Sequence, residues 1–144
     1  MRWPVYVVDS SIFASIIVKD EFYDRALRFI KENFRLGLIT IDIAMVEVTN
    51  TLWKHAYLLG RIPKSSYTTL RDSIKSLIIN ATTDIYRSED GIEEAMDNAL
   101  RFGITVYDSL YVTLALRRDC RLASFDEELR RKLEDAGLNI VMTP

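Results

Sequence analysis

The sequence predicts an α/β fold whose central β-sheet is mostly parallel. The first observation is the segment VYVV at residues 5–8, where four β-forming residues in a row end at Asp9. This pattern is typical of a short strand buried on both faces of a parallel sheet. The second observation is that strand-like and helix-like segments alternate along the rest of the chain, as they do in folds built from β-α-β units.

After the first strand, the first half of the chain is predicted to contain two more strands and three helices. The predicted elements are, in order, a helix over residues 20–35, the strand LGLITID, a helix over residues 43–59, a helix over residues 65–79 and the strand TDIY. Apolar residues at helical spacing indicate the first helix, which is expected to end near Gly37. Asp42 is expected to be the N-cap of the second helix, and Gly60 and Pro63 are expected to end it.

The second half of the chain is predicted to contain three helices and two strands. The first helix follows from an apolar stripe that begins at Ile92 and recurs at i+3, i+4, i+7 and i+8, with Gly103 at its end. The remaining elements are a helix over residues 107–118, the strand CRLASF, a helix over residues 127–136 and the strand NIVM. Strands and helices therefore alternate up to the end of the sequence.

Composition limits the classes of protein to which the chain can belong. Its 144 residues suit one domain, so we expect a single domain over residues 1–144. One cysteine and one histidine exclude a disulfide framework and a structural zinc site. A net charge of −2 gives no overall basic surface for nucleic acid. We see no signal peptide or membrane-spanning stretch in the sequence and therefore expect a cytoplasmic protein without membrane partners.

Acidic residues recur where predicted strands end or helices begin. Asp9 ends the first strand, Asp108 opens a helix after GITVY, and Asp126 follows the fourth strand. Each acid alone is explained by helix capping or by solvation. In a parallel sheet, however, the loops that leave neighbouring strands meet at one edge, so the three acids are expected to lie together. Glu47 joins them as a fourth candidate, because it lies on a polar helical stripe with Asn50 and Lys54.

Four carboxylates at one place repel one another strongly. Two unit charges about 5 Å apart at an effective dielectric constant near 20 repel by roughly 3 kcal/mol, so such a cluster requires a cation or additional protons. Carboxylate oxygens suit Mg²⁺ or Mn²⁺, and the scarcity of histidine and cysteine argues against zinc. Hard divalent ions held in this way typically serve phosphoryl chemistry.

The residues around these acids resemble those of PIN-domain proteins, especially the VapC-type toxins of prokaryotic toxin-antitoxin pairs. The matching segments are VVDSS with Asp9, AMVEVTNTLWK with Glu47, YDSLYVTLAL with Asp108 and LASFDEEL with Asp126. The resemblance implies a three-layer fold in which a mostly parallel sheet of four or five strands is flanked by helices. It also implies a ribonuclease in which the four acids hold Mg²⁺ or Mn²⁺ and a metal-activated water hydrolyses RNA phosphodiesters.

The resemblance extends to the surroundings of the acids and to partners. Ser10, Asn50 and Ser124 are candidates for fixing the carboxylates, although many members of the family have threonine at the position of Ser124. Lys54 and Arg117 are candidates for contacting the RNA backbone. The family further implies a homodimer that is neutralised by a small antitoxin.

Other classes of protein fit the sequence less well. A haloacid-dehalogenase-type phosphatase requires a second aspartate two residues after the first, where this chain has Ser11. A dinucleotide-binding domain requires a G-x-G-x-x-G turn, which the sequence lacks. A catalytically silent PIN-like domain that binds RNA or protein stays open as an alternative, although all four acids are present.

Overall fold

The central sheet consists of five parallel strands. The structure is a computed structural model that describes residues 4–144. Its strands are β1 (Tyr6–Val8), β2 (Leu38–Ile41), β3 (Asp84–Tyr86), β4 (Arg121–Ala123) and β5 (Val141–Met142). They lie in the order β3-β2-β1-β4-β5, and each neighbouring pair is parallel. The predicted α/β class, the parallel sheet and all five predicted strands are thereby confirmed.

Seven α-helices connect the strands in the described part of the chain. They are α1 (Ser10–Val18), α2 (Tyr23–Asn33), α3 (Ile43–Trp53), α4 (Lys64–Ala81), α5 (Ile92–Phe102), α6 (Val106–Arg118) and α7 (Glu127–Asp135). Helix α3 continues into a π-helical turn at Lys54–Leu58, so the helix predicted over residues 43–59 is present but changes its winding in the last turn. Short 3₁₀ segments lie at Phe34–Leu36 and Ser88–Gly91.

Helix α1 is the one helix that the periodicity of the sequence does not predict. Its nine residues, SSIFASIIV, are mostly buried, including Ile12, Phe13, Ile17 and Val18. A helix that is apolar on nearly all sides has no amphipathic stripe, so periodicity cannot identify it. The omission matters because α1 begins directly after Asp9 and orients the first acid of the site.

Two aspartates that precede helices make contacts other than caps. Asp42 stands before α3 as predicted, but its side chain makes no cap; its Oδ1 accepts a hydrogen bond from the Ser88 N–H at 3.1 Å. The predicted capping role of Asp42 is therefore wrong, and the residue instead links the ends of β2 and β3. Asp20 accepts hydrogen bonds from the Phe22 N–H and the Ser15 hydroxyl, so the helix predicted from residue 20 begins at Tyr23.

The sheet is the middle of three layers. In β1, Val7 and Val8 have no exposed surface, and all residues of β2 are buried, as expected for strands covered on both faces. Helices α1 to α4 pack against one another, whereas α5 packs on α6 and α6 contacts β1, β2 and β4. Right-handed crossovers place the helices that connect β1, β2 and β3 on one face and α5 and α6 on the other.

The strand order reverses direction between β1 and β4. The chain builds β1, β2 and β3 outward to one side, then crosses back over the sheet to place β4 on the other side of β1. In open α/β sheets, ligands bind in the crevice beyond the carboxyl ends of the strands at such a switch point. Asp9 follows β1 and Asp126 follows β4, so both lie at this position. None of the helices described for residues 4–144 is long and apolar enough to cross a membrane.

Candidate active site

Asp9 lies at the junction between β1 and α1. Its Oδ1 accepts a hydrogen bond from the Ser11 N–H at 2.9 Å and another from the Ser11 hydroxyl at 2.5 Å. Asp9 is only 6% exposed. Burial raises the pKa of its carboxyl to about 7, repulsion from Asp108 adds to this, and hydrogen bonds from Ser11 and Ser124 oppose it. The surroundings of Asp9 therefore make its ionised form costly.

Two serines join the ends of β1 and β4. The Ser11 hydroxyl accepts a hydrogen bond from the Phe125 N–H at 3.0 Å, and the Ser124 hydroxyl accepts one from the Asp126 N–H at 3.0 Å. Ser124 is fully buried and also hydrogen-bonds the Asp9 carboxylate. Ser10 is the candidate predicted from the sequence, whereas the structure places Ser11 against Asp9. Recognising α1, with Asp9 as its N-cap, would have identified Ser11, because the residue two positions after the cap donates to it.

Asp126 begins helix α7. Its Oδ1 accepts a hydrogen bond from the Leu129 N–H at 3.0 Å, so it acts as the N-cap of the helix. The capping explanation for Asp126 is therefore correct. Capping engages one carboxylate oxygen, and Asp126 is exposed, so a second role for this acid is compatible with the first.

Asp108 lies in the first turn of α6, where Thr105 is the N-cap. Burial raises the pKa of the Asp108 carboxyl to about 6, and repulsion from Asp126 and then from Glu47 contributes further. A hydrogen bond from Thr105 and the positive charge of Lys132 act in the opposite direction. Asp108 is therefore electrostatically coupled to acids from two other elements.

Glu47 reaches the site from the second turn of α3. Its Oε1 accepts a hydrogen bond from the Tyr111 hydroxyl at 2.6 Å. Tyr111 is 2% exposed, and burial together with the neighbouring Glu47 raises its pKa far above the ordinary value. Its position one turn after Asp108, on the same face of α6, is the signal that places it beside the acids.

The four acids form one electrostatic group, which we call the acidic site. Asp108 is repelled by Asp126 and Glu47, and Asp9 is repelled by Asp108. The expected convergence of acids that are distant in the sequence is therefore present. Among residues 4–144, however, no three histidine, cysteine or acidic side chains form a ready-made set of metal ligands. Serine, tyrosine and backbone donors hold one oxygen each of Asp9, Glu47 and Asp126.

A cleft of about 400 Å³ opens beside the acidic site. The residues that line it are Ser10, Ile43, Val46, Glu47, Asn50, Thr51, Lys54 and Tyr107. Asn50 and Lys54 are exposed, and the structure thus brings these two candidates and Ser10 next to Glu47. The polar stripe recognised in the sequence is one wall of this cleft.

Arg117 lies elsewhere. It is nine residues after Asp108 on α6, about 13 Å further along the helix at 1.5 Å per residue. Its guanidinium is paired with Glu94 and also donates to the Asp90 carbonyl oxygen at 3.4 Å. These contacts tie α6 to α5 and to the 3₁₀ segment before it. The geometry gives no support to the predicted contact of Arg117 with a substrate at the acidic site.

Fold and site together define the class of protein. Residues 6–133 match the sequence profile of the PIN domain family. This match covers most of the chain, and the chain therefore belongs to the PIN domain family. The resemblance noted from the four acidic segments is confirmed.

Two similar proteins come from the archaeon Pyrobaculum aerophilum. The chain is 31% identical over 130 residues to Ribonuclease VapC3, a match that spans 88% of this chain and 92% of that protein. The crystal structure of PAE2754 superposes with a TM-score of 0.69 at 24% identity, over 96% of this chain and 83% of that one. The second likeness shows the fold, and it confirms the predicted three-layer PIN-like arrangement.

Proposed function

We propose that this PIN-domain protein is a metal-dependent endoribonuclease and the toxin of a toxin-antitoxin pair, formed by one domain over residues 1–144. The observation that carries the proposal is the electrostatic coupling of Asp9, Glu47, Asp108 and Asp126 at the switch point of the sheet. The chain is a homologue of a named VapC ribonuclease, which makes it an enzyme of the nuclease class. Ribonucleases of the PIN domain family depend on metal ions.

The residues present fit a hard divalent cation. All four candidate ligands are carboxylates, and oxygen donors favour Mg²⁺ or Mn²⁺ over zinc or copper. Burial raises the pKa of the carboxyls of Asp9 and Asp108 to about 7 and about 6, so a cation beside them would relieve an existing electrostatic cost. The carboxylates are neighbours but not yet a closed cage, so small side-chain rotations would have to accompany binding.

Each part of the site has a proposed task. Asp9, Asp108, Glu47 and Asp126 would hold the cation, which supplies a Lewis acid for a phosphate oxygen and an acidified water. The serines beside Asp9 fix its carboxylate, and Asn50 would orient Glu47 from the next turn of α3. Lys54, exposed at the cleft, would contact the RNA backbone next to the scissile phosphate.

An RNA cleavage assay tests this proposal. Purified protein is incubated with structured RNA in the presence of Mg²⁺, Mn²⁺ or EDTA, together with the variants Asp9→Asn and Asp42→Asn. We expect cleavage that requires the metal and that Asp9→Asn abolishes. Asp42→Asn is the matched control, because Asp42 is an aspartate outside the acidic site and asparagine can still accept the Ser88 hydrogen bond. Equal cleavage in EDTA, or by Asp9→Asn, would contradict the proposal.

The alternative function is a silent PIN-like scaffold that binds RNA or protein without chemistry. It predicts that RNA binds with similar affinity with and without Mg²⁺ and stays intact. The relationship to a named ribonuclease and the presence of all four acids favour the enzyme. A binding assay by fluorescence anisotropy, run on the same samples as the cleavage assay, separates the two functions.

The proposed toxin requires an antitoxin. Val46, Trp53 and Tyr57 are exposed along α3 and its π-helical turn, and the rings of Trp53 and Tyr57 stack 5.7 Å apart. Val46 also lines the cleft. An apolar antitoxin segment bound to these three exposed side chains would therefore lie across the entrance to the acidic site. Co-purification with the product of a neighbouring small reading frame tests this, with Trp53→Glu as the disrupting variant. Unchanged co-purification of Trp53→Glu would contradict the assignment.

A homodimer is the other expected assembly. Ile92, Met96 and Leu100 form an exposed apolar stripe on α5. If two α5 helices pack antiparallel around Met96, Ile92 of one copy faces Leu100 of the other at both ends of the contact, so the stripe is self-complementary. We expect a dimer by light scattering and a monomer for Leu100→Glu, whereas Leu58→Glu, which also changes an exposed leucine, leaves the dimer intact. A wild-type monomer would contradict the proposed dimer. As a separate part of the proposal, we expect the protein in the cytoplasm, where its RNA substrate is found.

A further inference from the structure

Tyr111 makes a contact that the proposed ligand set alone does not explain. Its side chain is 2% exposed, and its hydroxyl donates to Oε1 of Glu47 at 2.6 Å. The same hydroxyl hydrogen-bonds the side chain of Ser10, the first residue of α1. One buried phenol therefore connects α6, α3 and α1 at the acidic site. Because it comes from the core of the fold, it cannot move away from Glu47 without repacking α6.

This hydrogen bond affects how Glu47 can bind a cation. A short bond from a hydroxyl to a carboxylate is among the stronger hydrogen bonds in proteins. Because Tyr111 occupies one acceptor site of Oε1, binding of a cation by both oxygens of Glu47 is disfavoured. Ca²⁺ takes six to eight oxygen ligands and often uses both oxygens of a carboxylate, whereas Mg²⁺ requires a compact octahedron and keeps several waters.

We propose that Tyr111 is a positioning residue that restricts Glu47 to one ligand oxygen and so makes the acidic site select Mg²⁺ or Mn²⁺ over Ca²⁺. The inference rests on the proposed function, because it requires the acidic site to bind a divalent cation. It adds the residue that determines which cation is bound. Tyr111 acts through Glu47 and is not itself a ligand.

Calorimetric titration of the full chain with MnCl₂, MgCl₂ and CaCl₂, without RNA, tests the inference. The variant is Tyr111→Phe, which removes only the hydroxyl. The matched control is Thr113→Val, which removes another buried hydroxyl from the same helix, one that accepts a hydrogen bond from Asn98 at 3.0 Å. Loss of a residue that orients a metal ligand typically weakens metal binding by about 10- to 100-fold.

We expect Tyr111→Phe to bind Mn²⁺ about tenfold more weakly than wild type while its Ca²⁺ affinity is unchanged or increased, so that the ratio of the two affinities falls. Thr113→Val should keep the wild-type ratio. An unchanged ratio in Tyr111→Phe, or an equal loss for both ions, overturns the inference but leaves the metal site intact. Absence of binding of any ion by the wild type overturns the metal site itself.

The wild-type chain provides a second measurement that does not depend on the folding of Tyr111→Phe. The inference requires the wild type to bind Mn²⁺ more tightly than Ca²⁺, and competition between the two ions, followed by the electron paramagnetic resonance of free Mn²⁺, measures this directly. Equal affinities would overturn the role given to Tyr111 even if the variant proved too unstable to study.

Discussion

The two sides of the acidic site are built differently. The side formed by β1, α1 and the loop after β4 is buried and held by hydrogen bonds between residues far apart in sequence, such as the Phe125 N–H to the Ser11 hydroxyl. The side formed by α3 is exposed, and Asn50 and Lys54 project from it into the cleft. On the buried side, desolvation raises the pKa of the Asp9 carboxyl, whereas the α3 side is open to solvent. Substitutions on the two sides should therefore have different effects on stability and activity.

The largest difference is expected for Asp9→Asn. Loss of a metal ligand removes several kcal/mol of transition-state stabilisation, so RNA cleavage should fall by roughly 1000-fold. Without metal, however, the variant should be more stable than wild type at pH 7.5, because asparagine has no charge to bury and still accepts the Ser11 hydrogen bonds. Single-turnover cleavage and urea unfolding measure the two effects. A variant that is both inactive and less stable would show that the charge of Asp9 is not costly in the folded state.

The pH dependence of stability without metal gives the next largest effect. The pKa of the Asp9 carboxyl is raised from 3.8 to about 7, so between these values the folded chain binds more protons than the unfolded chain. The free energy of unfolding should therefore fall as the pH rises from 4 to 7, by up to about 4 kcal/mol from this group. Urea unfolding at several pH values, compared with Asp9→Asn, isolates the contribution. Saturating Mg²⁺ or Mn²⁺ should reduce the loss, and the same slope with and without metal would argue against binding at Asp9.

A direct comparison of the two sides uses Ser11→Ala and Asn50→Ala. Ser11 bridges Asp9 and Phe125, so its loss should lower the free energy of unfolding by about 1 to 3 kcal/mol. Asn50 is exposed, so its loss should change stability by less than about 0.5 kcal/mol while reducing cleavage. Both variants are measured by urea unfolding and by the RNA assay. Equal destabilisation by the two changes would remove the distinction between a buried and an open side.

The smallest effect is expected for charge in the cleft. Lys54→Met should weaken RNA binding and lower the dependence of log affinity on log salt concentration by about 0.7, the value for one phosphate contact on a single strand. Arg117→Met is the matched control, because that cation is paired with Glu94 away from the acidic site. Anisotropy titrations at several salt concentrations measure both slopes. If Arg117→Met also lowered the dependence of log affinity on log salt concentration, Arg117 would contact RNA after all.

The sequence predicts the strands and the acids better than it predicts the contacts between them. Buried strands such as VYVV are recognisable because they are short, continuous runs of apolar β-forming residues. The acids are recognisable because they stand at the ends of such strands. Helix α1 could not be recognised, because burial on nearly all sides removes the periodic stripe. The capping role of Asp42 was wrong because Ser88, 46 residues away, provides another donor. Tyr111 is a core residue, and only the fold shows that its hydroxyl meets Glu47.

The wide spacing of the acids along the chain has a consequence for the synthesis of the protein. The four acids are spread from residue 9 to residue 126, and Asp9 is hydrogen-bonded by Ser124, which a ribosome adds more than 100 residues after Asp9. A nascent chain that stops before β4 lacks Ser124 and Asp126, so it contains no complete set of carboxylates. If the protein cleaves RNA, the ribosome and message that produce it are protected from that particular molecule until Asp126 has been synthesised.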